Sequence, residues 1–364
     1  MIGKFISRRR LLSTAGSMVI AAAATVFNSA ALSQGLVADG EQIADQALLE
    51  AAKEEGMLLY YTVNLEENER ELLAEFKEAT GVDFEVIRLN GSRMYERVIT
   101  EYGGGQLQAD LVSLSDFVLM QDLIDKGVLA AHRVPGWDEI PDDLKQPEAL
   151  YYVQNRYAKA FGYNTAVLSE EQAPKSWMDL LDPELKGLIG IQQASSGGIG
   201  WTTILMQRQI ISDDYWEKLA ANEPRLYTGL TQASEDVARG ELAVSEMLPI
   251  QGVRLMESGA PMALTFPEEG IPASAVLVGV TSVAEHPNAA KLYLNWVLSK
   301  HGGEAITRIF FDWATHPDVA PPSLEEYGLT LPPASQLWVA DRKDWVELQE
   351  EYLKEWEQIF QTGG

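Results

Sequence analysis

The chain has 364 residues, 46% of them apolar and 9% aromatic, enough to fill two hydrophobic cores rather than one. It has no cysteine, which excludes disulfides, thiolate metal sites, iron–sulfur clusters and cysteine nucleophiles. Its formal charge is −26. Residues 1–33 hold four basic residues and no acidic one, so the remainder carries −30 and repels nucleic acid and anionic lipid.

The N-terminus reads as an address. Met1–Arg10 is basic, Leu11–Phe27 is apolar, and Ala31-Leu32-Ser33 offers a small-x-small cleavage site before Gln34. The apolar run is interrupted by Ser13, Thr14, Gly16 and Ser17 and is short of the roughly 20 residues a membrane span needs. Residues 1–33 are therefore predicted to be a cleaved signal peptide. Ser7-Arg8-Arg9-Arg10-Leu11-Leu12 is similar to the twin-arginine pattern S-R-R-x-F-L, with Leu11 in place of Phe; the Sec route is the alternative. Either route predicts a periplasmic protein, and without cysteine it has no lipid anchor.

The mature chain alternates strand and helix patterns. Leu58–Val63 predicts a buried strand; Leu72, Leu73 and Phe76 follow at helical spacing, and Gly81 stands where a C-cap belongs. Val82–Leu89 alternates as a second strand. Ser92 is expected to cap a helix through Tyr102, Asp110–Ser113 to form a third strand, and Asp116 to cap a helix to Lys126. The texture resumes with strands at Ala160–Asn164 and Gly187–Gln192, a short helix at Ser176–Leu181 and a longer one at Trp201–Ile211. This order predicts an α/β fold with largely parallel sheets in two lobes, and a ligand cleft beyond the strand ends.

Ser195-Ser196-Gly197-Gly198, between an apolar strand and a helix, is the most informative local feature. Glycines let backbone approach a ligand, and the free N–H groups of a helix start favour an anion. The competing reading is a plain capped helix start. Strand-end residues form the second set: Thr62, Val63 and Asn64; Gly91, Ser92 and Arg93; Ser113, Ser115 and Asp116. Arg156, beside an aromatic stretch near the crossover between lobes, is a candidate clamp for a carboxylate or phosphate, or else a surface ion pair.

Catalytic signatures are missing. There is no G-x-S-x-G elbow or H-E-x-x-H, and Gly103-Gly104-Gly105 lacks a Walker lysine. His132, His286, His301 and His316 are scattered. The chain is predicted to be no enzyme and to hold no cofactor or metal. A serine hydrolase or phosphatase acting through Ser195 or Ser196 is the reading from another class.

From Phe161 onward the chain resembles the extracellular solute-binding proteins of ABC importers, of the type 2 periplasmic-binding-protein fold, whose best-known members carry ferric iron. The strings that carry the resemblance include Phe161-Gly162-Tyr163-Asn164-Thr165, Pro174-Lys175-Ser176-Trp177, Val237-Ala238-Arg239-Gly240-Glu241 and Pro287-Asn288-Ala289-Ala290-Lys291. The resemblance implies two lobes joined by crossover strands, 34–160 with 270–321 and 161–269 with 322–364. It also implies a monomer that closes on a small-molecule solute and docks on an inner-membrane permease, and an anion-contacting loop at Ser195, Ser196 and Gly197.

Ferric-binding members have adjacent tyrosines before the helix that follows the Arg-Gly-Glu string, where this chain reads Ser245-Glu246-Met247-Leu248-Pro249-Ile250-Gln251. Tyr163 and Glu246 would then be the remaining iron ligands, and Pro249 and Gln251 would line the cleft instead. The expectation is a small anionic or polar organic solute bearing phosphate, phosphonate or carboxylate, with ferric iron as the alternative.

Overall fold

A computed structural model describes residues 35–361 other than 197, 328, 330 and 333–335. The predicted signal peptide lies outside the described residues. Among those described, no helix is long and apolar enough to cross a membrane.

The chain opens with an antiparallel ribbon of β1 (Leu36–Ala38) and β2 (Glu41–Ala44), then α1 (Gln46–Glu55). Next come β3 (Met57–Thr62), α2 (Glu66–Thr80), β4 (Asp83–Arg88), α3 (Gly91–Gly103), β5 (Leu111–Leu114), α4 (Phe117–Asp125) and β6 (Leu129–Ala130). Gly81 ends α2 in the left-handed region at φ 81°, and Asp116 caps α4 by accepting from the N–H groups of Val118 and Leu119. Asn90, and not Ser92, caps α3: its side chain accepts from Arg93 N, because the helix starts at Gly91 and Ser92 is already inside it.

Strand β7 (Tyr152–Ala158) runs into β8 (Ala160–Asn164) across a single residue, Lys159, and this carries the chain from the first sheet to the second. There follow β9 (Ile189–Gln192), α5 (Gly198–Ile210), α6 (Tyr215–Ala221), β10 (Arg225–Tyr227), α7 (Leu230–Ala238), β11 (Val244–Met247), α8 (Pro249–Glu257) and β12 (Met262–Thr265). The chain returns through β13 (Ile271–Thr281), α9 (Pro287–Val297), α10 (Lys300–Phe310) and β14 (Trp313–Ala314). It ends with β15 (Leu337–Val339), α11 (Arg342–Glu347) and α12 (Gln349–Phe360).

The first sheet has the order β14-β7-β13-β5-β3-β4, with β6 and β15 also on β13; the second is β10-β9-β11-β8-β12. The βαβ strands β3, β4 and β5 are mutually parallel, as are β9, β10 and β11. Strands β8 and β13, which enter each sheet from the other lobe, run antiparallel to their neighbours β11 and β12 and β5 and β7, so the sheets are mixed.

Each sheet has its own core. In the first lobe Tyr60, Phe76, Tyr293 and Trp296 are fully buried, with Phe76 edge-on to Tyr293 at 5.4 Å. Helix α9 thereby closes over the α2 face from more than 200 residues away in sequence. In the second lobe Trp201, Trp216, Trp345 and Trp356 share one cluster, so α11 and α12 cover α5 and α6. The end of the chain is not confined to that lobe, since β15 pairs with Ile271–Ala273 of β13 in the first sheet.

Candidate functional site

The carboxyl ends of the parallel strands of both sheets face one cavity of about 390 Å³. From the first lobe it takes Val63, Asn64 and Leu65 after β3, Arg88, Asn90 and Gly91 after β4, and Ser115 after β5. From the second it takes Gln192, Ser196 and Ile199 after β9, residues 228–232 after β10, and Leu248, Ile250 and Gln251 after β11. Tyr157 and Val276, from the crossover strands, Phe310 at the end of α10 and Asp312 just past it complete it. This is the strand-end position at which open α/β sheets bind ligands.

Helix starts dominate the wall. The N-termini of α2, α3, α5, α7 and α8 all reach it, through Leu65, Asn90, Ile199, Gly229 and Leu248. No side chain caps α2 or α7, so their first N–H groups stay available. Each start carries a partial positive charge, and Arg88 adds a full one. On α8, Gln251 is turned in a defined sense. Its Oε1 accepts from Leu248 N at 3.0 Å and its Nε2 donates to Thr231 Oγ1 at 3.1 Å, which leaves the Thr231 proton free to donate.

The opposite wall is built differently. Asn64 Nδ2 donates to Glu69 Oε2 at 2.8 Å, and Thr62 Oγ1 donates to the same oxygen at 2.8 Å. Ser113 Oγ in turn donates to Thr62 Oγ1 at 3.3 Å, and Tyr293 OH donates to Glu69 Oε1 at 3.1 Å. Glu69 is fully buried; burial raises its carboxyl above the usual range, while the donors from Asn64, Thr62 and Tyr293 oppose that shift. Asp312 is also buried and has Asn155 Nδ2 at 2.6 Å on one carboxyl oxygen. Burial pushes its carboxyl well above the usual range. The residue before it, Phe311, sits at φ 56°, a conformation that costs a bulky side chain about 1–2 kcal/mol and turns the chain into the cavity wall.

One contact crosses between lobes at the back of the cavity. Tyr157 OH faces Ser115 from the first lobe and the Ile199 N–H from the second. A Cβ on Gly198, at φ 42°, would fall 2.5 Å from Ser115 Oγ and 3.1 Å from Tyr157 OH. Only glycine fits there. At the rim, Arg254 of α8 forms an ion pair with Glu67 of α2.

Of the residues singled out from the sequence, Asn64, Ser115, Ser196 and Gln251 line the cavity together with Gly91. Gly198 packs just behind them. The others stand elsewhere. Thr62 is buried behind Asn64, and Ser92 lies inside α3. Asp116 is used as the cap of α4, and Ser195 is exposed outside the lining. Tyr163 is buried in the second lobe's core on β8, and Glu246 pairs with Lys159. Arg156 pairs with Asp143 at 2.6 Å beside a separate hollow, which is the surface ion pair and not the clamp. Gly197 lies outside the described residues.

Sequence reasoning missed Arg88, Asn90, Tyr157, Thr231 and Asp312. Arg88 and Asn90 were within reach, since they end an alternating strand just before the glycine already noted. Thr231 follows a three-residue edge strand too short to show alternation, and Asp312 sits in no motif.

None of the four histidines lines the cavity. His132 contacts Asn295, His286 Asp110, His301 Asp39 and His316 Glu41. Among the described residues, no group of three or more His, Asp or Glu is placed to hold a metal ion.

Residues 108–332 match the family described as bacterial extracellular solute-binding protein. Among curated proteins, an uncharacterized protein of Haemophilus influenzae is 28% identical over 240 residues, 63% of this chain and 69% of that one. The Fe(3+)-binding periplasmic protein of Serratia marcescens is 26% identical over 166 residues, 42% of this chain and 48% of its own length. Among solved structures, the substrate binding protein of an ABC transporter from Agrobacterium tumefaciens superposes with a TM-score of 0.73 at 16% identity, over 86% of this chain and 96% of that one. The periplasmic binding protein AfuA from Actinobacillus pleuropneumoniae, with fructose-6-phosphate bound, gives 0.69 at 23% identity, over 84% and 99%. These neighbours share the two-lobed type 2 periplasmic-binding fold.

Proposed function

The chain belongs to the family of bacterial extracellular solute-binding proteins, and we propose that it is the periplasmic component of an ABC importer whose solute is a small organic anion. The observation that carries the choice of solute is the convergence of five helix N-termini and Arg88 on one cavity. Fixed N–H groups and a guanidinium suit a phosphate, phosphonate or carboxylate. A cavity of about 390 Å³ lies in the small-molecule range. The anion docks on the α7 and α8 starts with Thr231, and the first lobe closes from the other side, so that the permease meets the closed form. A solute drives closure only by its extra affinity for the closed state.

The ferric alternative finds less support in this wall. Fe³⁺ prefers phenolate and carboxylate oxygens, and the lining carries one tyrosine, Tyr157, whose ionisation burial opposes, and one carboxyl, Asp312. Tyr163 and Glu246 are not among the lining residues.

The test is a thermal-shift screen of the mature protein with phosphate, phosphonates, sugar phosphates, carboxylates, polyamines, neutral sugars and Fe³⁺. A solute at about 100 times its Kd adds about 2.7 kcal/mol, several degrees in Tm. A shift with Fe³⁺ alone sinks the organic-anion reading; a shift with none weakens the receptor itself.

A further inference from the structure

The helix starts on the cavity are not alike. Asn90 closes the start of α3, its side chain accepting from Arg93 N at 3.2 Å, and Gln251 folds back on the start of α8. Helix α2 has Leu65 at its N-cap, a residue with nothing to cap with, and no side chain takes its place. Yet asparagine is among the best capping residues, and Asn64 stands one position away, within the usual latitude of a helix start.

What keeps Asn64 off α2 is Glu69. Asn64 is 9% exposed, and its Nδ2 donates to Glu69 Oε2 at 2.8 Å. The other donors of the turn after β3 lead to the same oxygen. Val63 N donates to Ser113 Oγ at 3.1 Å, Ser113 Oγ to Thr62 Oγ1 at 3.3 Å, and Thr62 Oγ1 to Glu69 Oε2 at 2.8 Å. Asn64 N joins this chain at Thr62 Oγ1, at 3.1 Å. Tyr293 of α9 donates to the second oxygen of Glu69 and ties it into the core of the lobe. We infer that Glu69 is a positioning residue: it holds the Asn64 side chain away from the start of α2, so that the first N–H groups of that helix stay open to the solute. This rests on the anionic reading above for what those N–H groups receive. Glu69 itself is fully buried and does not touch the solute.

Hydrogen exchange at the amides of Glu66, Glu67 and Asn68, followed by NMR in the solute-free mature protein, tests this. In the unmodified protein they should exchange faster than the capped Arg93 N of α3, a comparison that needs no variant to fold. Glu69→Met removes both acceptor oxygens; Asn64 should then turn onto α2 and slow at least one of the three amides about threefold or more. Adding Asn64→Ala should restore the original rates, and Glu69→Gln should keep them, since its amide oxygen still receives Asn64 and Thr62. Calorimetric titration with inorganic phosphate should run in parallel, with binding about fivefold weaker in Glu69→Met and recovered in the double variant. Unchanged exchange in Glu69→Met, or faster exchange along the whole of α2 that Asn64→Ala does not relieve, overturns the inference and makes Glu69 purely structural. Phosphate bound equally by all four proteins overturns it too, because the α2 start then takes no part in binding. The expected exchange pattern in a protein that binds no phosphate, phosphonate or carboxylate leaves Glu69 in its role and sinks the anionic reading instead.

Discussion

Lys159 Nζ lies 2.8 Å from Glu246 Oε2, both side chains all but inaccessible, at the single residue that separates β7 from β8. Glu246 also accepts from Gln192 N, and Gln192 lines the cavity, while Lys159 N donates to Pro272 O at the start of β13. The pair therefore ties both crossovers to the floor of the second lobe. Burial lowers the Lys159 ammonium from its ordinary range and Glu246 opposes that shift. Removing one partner strands the other, so Glu246→Leu or Lys159→Met should each cost about 3–5 kcal/mol. The double variant should cost clearly less than the sum. Urea unfolding of the three proteins checks this; additive losses would mean the two groups are not coupled.

Ser195 and Ser196 are neighbours in sequence, but only Ser196 faces the ligand space. Ser196→Trp should abolish the solute-induced rise in Tm, and Ser195→Trp should leave most of it. Gly198→Ala, which sets a methyl 2.5 Å from Ser115 Oγ, should also weaken binding, because the lobes can no longer approach there. Its strain adds about 1–2 kcal/mol at φ 42°. Loss of the response in Ser195→Trp with retention in Ser196→Trp would place the loop the other way round.

Much of the frame was legible because it is local. Gly81 at its left-handed C-cap, Asp116 at its N-cap and the strand Ala160–Asn164 each follow from a few adjacent residues. The site was half legible for the same reason. Asn64, Ser115 and Ser196 sit just past strands that announce themselves, whereas Asp312 comes to the cavity from the far end of α10 and owes its place to long-range packing. Thr62 and Glu246 illustrate the converse error. Their polarity suggested ligand contact, but it is spent inside the protein, on Glu69 and on Lys159.

Asp312 also predicts a pH dependence. Its folded carboxyl is raised by burial, so between its unfolded value, near pH 4, and that higher value the folded state holds a proton the unfolded chain has released. The contribution is present below about pH 4 and is lost as pH rises. Relative to Asp312→Asn, the solute-free protein should lose stability from pH 4 upward and level off once the carboxyl ionises. Glu69 and Tyr157 are common to both proteins and drop out of the difference. Urea midpoints at several pH values between 4 and 8 check it; relative stability of the unmodified protein that stays flat or rises with pH contradicts the buried carboxyl.

Arg254 and Glu67 span the mouth of the cavity from opposite lobes, Arg254 mostly buried and Glu67 with 81% of its side chain exposed. Such a pair exists only when the lobes are near each other, so it favours the closed form without touching the solute. Its exposure limits its worth to about 1 kcal/mol, roughly a fivefold change in affinity, and salt screens it. Arg254→Gln should therefore raise Kd by up to about fivefold at low ionic strength and much less at high salt, mainly through faster release. The charge-reversed pair Arg254→Glu with Glu67→Arg should restore affinity. Stopped-flow release at two salt concentrations separates this from a structural lesion in α8, which would raise Kd equally at both and resist rescue by the reversed pair.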